Sequence, residues 1–294
     1  MCRAYVICRV LFSLLLLTAC QGITSNVTEE DIPTSQPVIT SLPDTDPHPG
    51  NELTPAMPMD LIEITSLPIT QTAISKLEIT PPHTESPIAM CSPLQDETLT
   101  SLWEIITNPF GSPPIGREDL HHGVDFAYYR RGERLSIEGE IVQSILPGTV
   151  AASIQDRLPY GNMLIIETTQ TRLPKVIGDQ YNIAPGESLY TLYAHMGQSP
   201  RVGLGDAIFC GQALGTVGIT GYDIVNPHLH LETRIGPSQV RFSSMVFYDT
   251  SATSEEMENY KWWRTSGDFK NLDPMKVFAD YLTNEYPGFQ TPTP

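Results

Sequence analysis

Between residues 141 and 235 the chain carries seven short apolar runs, Ile141–Leu146, Thr149–Ile154, Met163–Thr169, Leu189–His195, Ala207–Cys210, Ala213–Val217 and His228–Ile235, with glycine, proline and polar residues between them. None is long enough for the stripe of an ordinary amphipathic helix, and β-branched residues are frequent, which is the pattern of strands joined by tight turns. The expectation is a mainly β fold: a single antiparallel, sandwich-like sheet occupying residues 89–285. A stretch of about 195 residues is enough for one packed core. Glycines at 211, 215, 218 and 221 suit tight turns and close strand packing rather than a phosphate loop.

The flanks read differently. Residues 21–88 hold eleven prolines, ten acids and one basic residue, Lys76, and Ile39-Thr40-Ser41-Leu42-Pro43 recurs as Ile64-Thr65-Ser66-Leu67-Pro68. Such a composition cannot bury enough apolar surface to order itself, so residues 20–88 are expected to be a disordered stalk, averaging roughly 45 Å end to end as a coil. Thr98–Thr107 suggests a short helix, Phe242–Phe269 a long loop or an added element, and Met275–Tyr281, after Asp273-Pro274, a closing helix. Residues 286–294 are expected to fray.

At the N-terminus, Arg3 and Arg9 precede the apolar run Val10–Leu17 and then Thr18-Ala19-Cys20. The run is too short to span a bilayer. This order of positive, apolar and small residues before a cysteine resembles a bacterial lipoprotein signal, which implies loss of residues 1–19 and a diacylglyceryl group on Cys20. A plain secretory signal is the alternative. Either implies export, and lipidation implies anchoring at the outer face of the cytoplasmic membrane or at the outer membrane.

Removing residues 1–19 takes the formal charge from −17 to about −19. An acidic surface of that size repels phosphates, so nucleic acid is excluded as a partner, and a monomer is expected. Cys2 and Cys8 leave with the leader and Cys20 is used by the lipid, which leaves Cys91 and Cys210 in a compartment that permits disulfides. A bridge between them and two buried free thiols read alike.

The five histidines beyond residue 88 all fall in three compact motifs, His121-His122-Gly123-Val124-Asp125, Tyr193-Ala194-His195 and Pro227-His228-Leu229-His230-Leu231-Glu232, and four of them, all but His122, are candidates for the site. If His228 and His230 stand in one strand they share a face, with Leu229 and Leu231 turned into the core, and the same period puts His121 and Asp125 on one side. Imidazole nitrogen and carboxylate oxygen are zinc donors, and a catalytic zinc site uses three protein ligands with the fourth position left for water. Zinc lowers the pKa of that water towards about 7 and polarises a scissile carbonyl. His122 is expected to be a turn residue, and His48 and His83 belong to the stalk.

With Leu146-Pro147-Gly148-Thr149-Val150, Tyr160-Gly161-Asn162, Val202-Gly203-Leu204-Gly205-Asp206 and Gly211-Gln212-Ala213-Leu214-Gly215 in the same order, these motifs resemble the lysostaphin and LytM type of zinc endopeptidase over residues 108–236. The resemblance implies a β-rich fold with a groove over one Zn2+ ion. It implies that His121, Asp125 and His230 bind the metal, that His228 is the general base, and that His195 holds water or stabilises an oxyanion. Peptide bonds of peptidoglycan are the implied substrate. Two insertions depart from the family pattern, a basic and aromatic loop at Tyr128–Arg134 and a longer hairpin at Arg172–Pro185. They bear on substrate preference, not on the ligands.

Two features stay open. Trp262 and Trp263 could stack on sugar rings or pack over a domain edge, and Glu232 could orient a ligand or be a solvated rim charge. Two rival functions are a non-catalytic activator of another wall hydrolase and a wall-binding lipoprotein with structural zinc. The intact ligand set speaks against the first. The absence of cysteine from the motifs speaks against the second.

Overall fold

The computed structural model describes residues 88–292; the expected leader, Cys20 and the stalk up to residue 87 lie outside them. All seven runs carry strands, and three further strands complete the set: β1 (Ile106–Asn108), β2 (Val124–Phe126), β3 (Ile141–Gln143), β4 (Gly148–Arg157), β5 (Gly161–Thr169), β6 (Glu187–Ala194), β7 (Ala207–Ile208), β8 (Ala213–Thr216), β9 (Leu229–Pro237) and β10 (Lys270–Leu272). The main sheet is antiparallel with the order β1-β2-β9-β6-β5-β4-β7, and β10 joins the β2 edge of β9. Strands β3 and β8 form a separate ribbon. The fold is mainly β, as the spacing of the runs implies.

Alternation along the central strands sends side chains into two cores, one on each face. Leu229 and Leu231 of β9, Leu164 and Ile166 of β5 and Tyr193 of β6 enter the first with Val124 and Phe126 of β2. Ile165, Tyr190, Leu192 and Ala194 enter the second with Tyr260, Trp263 and Phe269. Burying each leucine contributes roughly 1.5–3 kcal/mol, so a one-residue slip of β9 would forfeit several kcal/mol by inverting its faces. Register is therefore fixed where the histidines sit.

Two helical expectations change. Thr98–Thr107 is not an α-helix: a single 3-10 turn covers Leu102–Ile105 and the chain then enters β1. Leu102 and Ile105 anchor that turn in the core, and β1 pairs with β2, so tertiary burial overrides the weak local pattern. Within Phe242–Phe269 lies a helix, α2 (Ser254–Thr265), started by a capping box in which Thr253 accepts from the Glu256 N–H and the Glu256 side chain accepts from the Thr253 N–H. The Thr-x-x-Glu signal was present in the sequence. The longer hairpin at 172–185 holds α1 (Lys175–Gln180), and the closing helix α3 runs Pro274–Glu285 with Asp273 as its cap. Part of the expected tail is docked: the Phe289 ring lies 5.9 Å from that of Trp103.

Cys91 and Cys210 form a disulfide that closes a separation of 119 residues with Cα atoms 5.7 Å apart. It ties the segment before β1 to the turn after β7. Among the described residues no helix is long and apolar enough to cross a membrane.

Candidate metal centre

Register across the β2–β9 pair places Asp125 directly opposite His230, 105 residues away in the chain. Both point away from the leucine core, because Val124, Phe126, Leu229 and Leu231 occupy the other face. On the far side of β9 the register partner of His230 is Ala194 of β6, which is packed in the second core. Contrary to the strand-period reading, His121 lies outside β2, in the loop that enters it, and reaches the pair from there.

The chain between them is pressed against β9. A Cβ added at Gly123 would lie 2.3 Å from the Leu231 carbonyl oxygen and 3.0 Å from the His230 ring. The glycine thus does more than leave open space between two ligands: the backbone of β9 occupies the place a side chain would need.

Three donor atoms converge. His121 Nε2 is 3.1 Å from Asp125 Oδ1 and 3.1 Å from His230 Nδ1, and His230 Nδ1 is 2.8 Å from Asp125 Oδ1. Ligands at about 2.0–2.1 Å around a tetrahedral zinc stand about 3.3 Å from one another, so this triangle fits such an ion after small adjustments. Electrostatics agree with a cation at its centre. Burial raises the Asp125 carboxyl, but hydrogen bonds and charge from His121 and His230 outweigh it and hold the group far below the usual carboxylate range. Burial lowers His230, yet Asp125 and Glu232 on its two nitrogens outweigh that and lift it to about 9.

The other nitrogen of each of these two imidazoles is already engaged. His121 Nδ1 donates to the Pro109 carbonyl at 3.0 Å, which presents Nε2 as the free lone pair. His230 Nε2 donates to Glu232 Oε1 at 3.1 Å, which leaves Nδ1 for the centre. The same device recurs outside the triangle: His195 Nδ1 donates to the Thr220 carbonyl at 2.8 Å, and His228 Nδ1 to that of Asn226 at 2.9 Å. Their rings are 4.8 Å apart, and His228 Nε2 stands 3.8 Å from Asp125 Oδ1.

His195 is held in the left-handed region at φ 60°, a conformation that a non-glycine residue keeps only when its surroundings impose it. Its N–H donates to the Tyr160 carbonyl and its own carbonyl accepts from the Gly218 N–H, both at 3.0 Å. Burial pushes its pKa down to about 3, aided by His230 and His228. Gly221, at φ +116°, passes so close that an added Cβ would sit 2.8 Å from His195 Nδ1. All five predicted site residues therefore meet in one place, His195 and His228 beside the triangle of His121, Asp125 and His230.

Behind His230 the structure decides the open questions. Glu232 is fully buried, so it is no rim charge. Oε1 accepts from His230, from the Tyr160 hydroxyl at 2.8 Å and from Arg264 Nη1 at 3.2 Å. Oε2 accepts from Arg234 Nε at 2.8 Å and from Trp263 Nε1 at 3.1 Å. Burial raises this carboxyl, but Arg234, His230 and Arg264 overcome that and keep it well below its ordinary range. Trp263 is likewise fully buried and does not stack on a ligand, whereas Trp262 donates to Asp268 at the surface.

His122, expected as a turn residue, lies in the irregular segment before β2. It is fully buried, and its Nδ1 must accept from Arg234 Nη2 at 2.9 Å because a guanidinium only donates, so Nε2 donates to the Arg117 carbonyl. Burial, with Arg264 and Arg234 beside it, lowers its pKa to about 3. Sequence reasoning missed Tyr160, Arg234 and Arg264 as parts of this arrangement. Tyr160 was in view only as part of the Tyr160-Gly161-Asn162 motif, and Arg234 left a trace in lying two residues beyond Glu232 on the same strand face.

Residues 119–242 match the family model described as Peptidase family M23. Several solved structures are similar to the chain. A catalytic-domain mutant of the prophage-encoded M23 protein EnpA from Enterococcus faecalis shares 24% identity over 47% of this chain and 85% of that one, with a TM-score of 0.32. A zinc-containing peptidase from Vibrio cholerae shares 23% over 50% and 37%, with a TM-score of 0.34. The catalytic domain of the antimicrobial peptidase lysostaphin from Staphylococcus simulans shares 20% over 62% and 98%, with a TM-score of 0.36. No curated protein sequence matches the chain.

Proposed function

We propose that this chain, whose residues 119–242 match the model of Peptidase family M23, is a zinc-dependent endopeptidase hydrolysing peptide bonds of bacterial peptidoglycan, held at the cell envelope by a lipid on Cys20. The observation that carries the reading is the triangle of His121 Nε2, Asp125 Oδ1 and His230 Nδ1, with sides of 2.8–3.1 Å, flanked by two more imidazoles whose other nitrogens are already satisfied. Three ligands of this kind fit zinc with one coordination position left over, and a structural site would enclose the ion with four.

Zinc bound there would polarise the scissile carbonyl and acidify a water molecule. His228 would take the proton: its Nδ1–H is tied to the Asn226 carbonyl, which leaves the lone pair on Nε2, 3.8 Å from Asp125 Oδ1, to act as the base. His195, with Nδ1–H tied to the Thr220 carbonyl, offers Nε2 to the water or to the developing oxyanion. Asp125 would supply the negative charge in the first ring of ligands, and Glu232, paired with Arg234 and Arg264, would hold His230 from behind.

The test is to purify the full chain, measure its metal content and follow release of new amino termini from purified cell walls by mass spectrometry. One zinc per chain, loss of hydrolysis on chelation and recovery on adding zinc are expected. His228→Ala should keep zinc and lose turnover, and His230→Ala should lose both. Zinc binding without hydrolysis of walls of several peptide chemistries would defeat the catalytic reading, and cell separation that survives both variants would point to an activator.

A further inference from the structure

Helix α2 lies beyond the residues that match the family model, and no ligand comes from it. Yet its last turn supplies much of the environment of Glu232. Trp263 Nε1 donates to Oε2 at 3.1 Å and Arg264 Nη1 to Oε1 at 3.2 Å. The same turn holds Arg234: the Trp263 carbonyl accepts from Arg234 Nη1 at 2.6 Å, and the guanidinium carbon stands 4.7 Å over the Trp263 ring. Carbonyls in the last turn of a helix lack intrahelical partners and carry the negative end of its dipole, so a buried cation is well placed there.

We infer that Trp263 and Arg264 are positioning residues for the metal centre, acting through Glu232 to hold the ring and tautomer of His230. The inference rests on the zinc reading above. A carboxylate has about four lone-pair directions, and those of Glu232 are taken by donors from His230, Tyr160, Arg264, Arg234 and Trp263. With every direction occupied the carboxylate cannot rotate, and only an acceptor faces His230 Nε2. Nε2 must then carry the hydrogen, and the lone pair is kept on Nδ1, which faces His121 and Asp125.

Replacing Glu232 by glutamine shows what the cage enforces. Two partners that can only donate, Arg234 at 2.8 Å and Trp263 at 3.1 Å, meet Oε2 against one, Arg264 at 3.2 Å, at Oε1, so the amide oxygen turns to the pair and the NH2 group faces His230 Nε2. Nε2 is then driven to accept and the hydrogen moves to Nδ1, the atom the metal needs. Arg264 fixes the other side of the cage: its Nε donates to Glu118 Oε2 at 3.1 Å and its Nη1 to the Tyr160 hydroxyl at 3.0 Å.

The experiment measures zinc dissociation constants of the full chain by competition with a chromophoric chelator, at a temperature where each metal-free protein is folded. It also records the visible spectrum with cobalt(II) in place of zinc, which reads ligand geometry. Glu232→Gln should weaken zinc about 10- to 100-fold, and Trp263→Phe and Arg264→Lys should each weaken it about 10-fold with altered cobalt spectra. Trp262→Phe, which deletes the neighbouring surface bond to Asp268, should change neither. Wild-type zinc affinity and cobalt spectra in Trp263→Phe and Arg264→Lys, even with lower melting temperatures, would reduce α2 to a packing element and overturn the inference. If the wild-type chain hydrolyses walls while these affinities stay unchanged, the inference alone fails; if the affinities fall but no wall is hydrolysed, the peptidase reading alone fails.

Discussion

Gly123→Ala is a one-carbon perturbation whose consequence follows from the approach of two strands. The new Cβ would lie 2.3 Å from the Leu231 carbonyl oxygen, and such contacts are essentially never closer than 3.0 Å, so the β2 entrance must retreat from β9 by about 0.7 Å. Neither neighbour yields easily, since Leu231 is fully buried and its strand is paired on both sides. Overpacking of this kind costs about 1–3 kcal/mol, roughly 2–10 °C in melting temperature for a domain of this size. Asp125 is two residues away on the displaced strand and His121 two residues before it, while His230 stays with β9. Metal ligand distances tolerate about 0.2 Å, and misplacing reacting groups by 1 Å costs about 100-fold in rate. Zinc affinity and wall hydrolysis should therefore fall by more than the stability does. Urea unfolding, chelator competition and wall digestion on the same preparation separate these terms. Wild-type zinc affinity and turnover in a folded Gly123→Ala chain would refute the claim that backbone approach at this glycine sets the ligand spacing.

Other expectations follow from features away from the metal. Replacing Cys91 and Cys210 together by serine opens a covalent link across 119 residues and should cost about 2–5 kcal/mol in urea unfolding, with dithiothreitol reproducing the loss in the wild type. Thr253→Ala removes the side-chain cap of α2 and should cost about 0.5–2 kcal/mol, read as a lower urea midpoint. Burial raises the Glu167 carboxyl, but the Gln239 N–H, the Arg241 guanidinium and the Ser188 hydroxyl outweigh it and hold it below the ordinary glutamate range. Its folded pKa being the lower, its contribution is complete above the unfolded pKa and disappears as pH falls through the folded one. The stability gap between wild type and Glu167→Gln should thus be constant above about pH 5.5 and narrow towards pH 3. A gap independent of pH would show that the ionised carboxylate is not what stabilises this corner.

Sequence and structure contributed different parts of this picture. Strand periodicity, turn residues and motif order were local properties, so the mainly β fold and the residues His121, Asp125, His195, His228 and His230 could be read before any coordinates. Strands β1 and β10 passed unread, because three residues outside any apolar run show no period and their identity comes from the edge they pair with. Helix α2 had its Thr253–Glu256 capping signal in view, yet its apolar pattern is weak, since Trp263 and Arg264 are chosen to meet a buried carboxylate rather than to line one face.

What the chain order alone determined was which donors exist and that Leu229 and Leu231 turn away from His230, since side-chain direction alternates along a strand. Tertiary structure decided which of them meet: Asp125 and His230 become neighbours through antiparallel register, and Trp263 reaches Glu232 only because α2 folds back over the second core. It also decided the fate of each charge. Burial and hydrogen-bond partners depend on residues distant in the chain, so a rim carboxylate and an enclosed anchor at Glu232 were indistinguishable until the surrounding donors were in place.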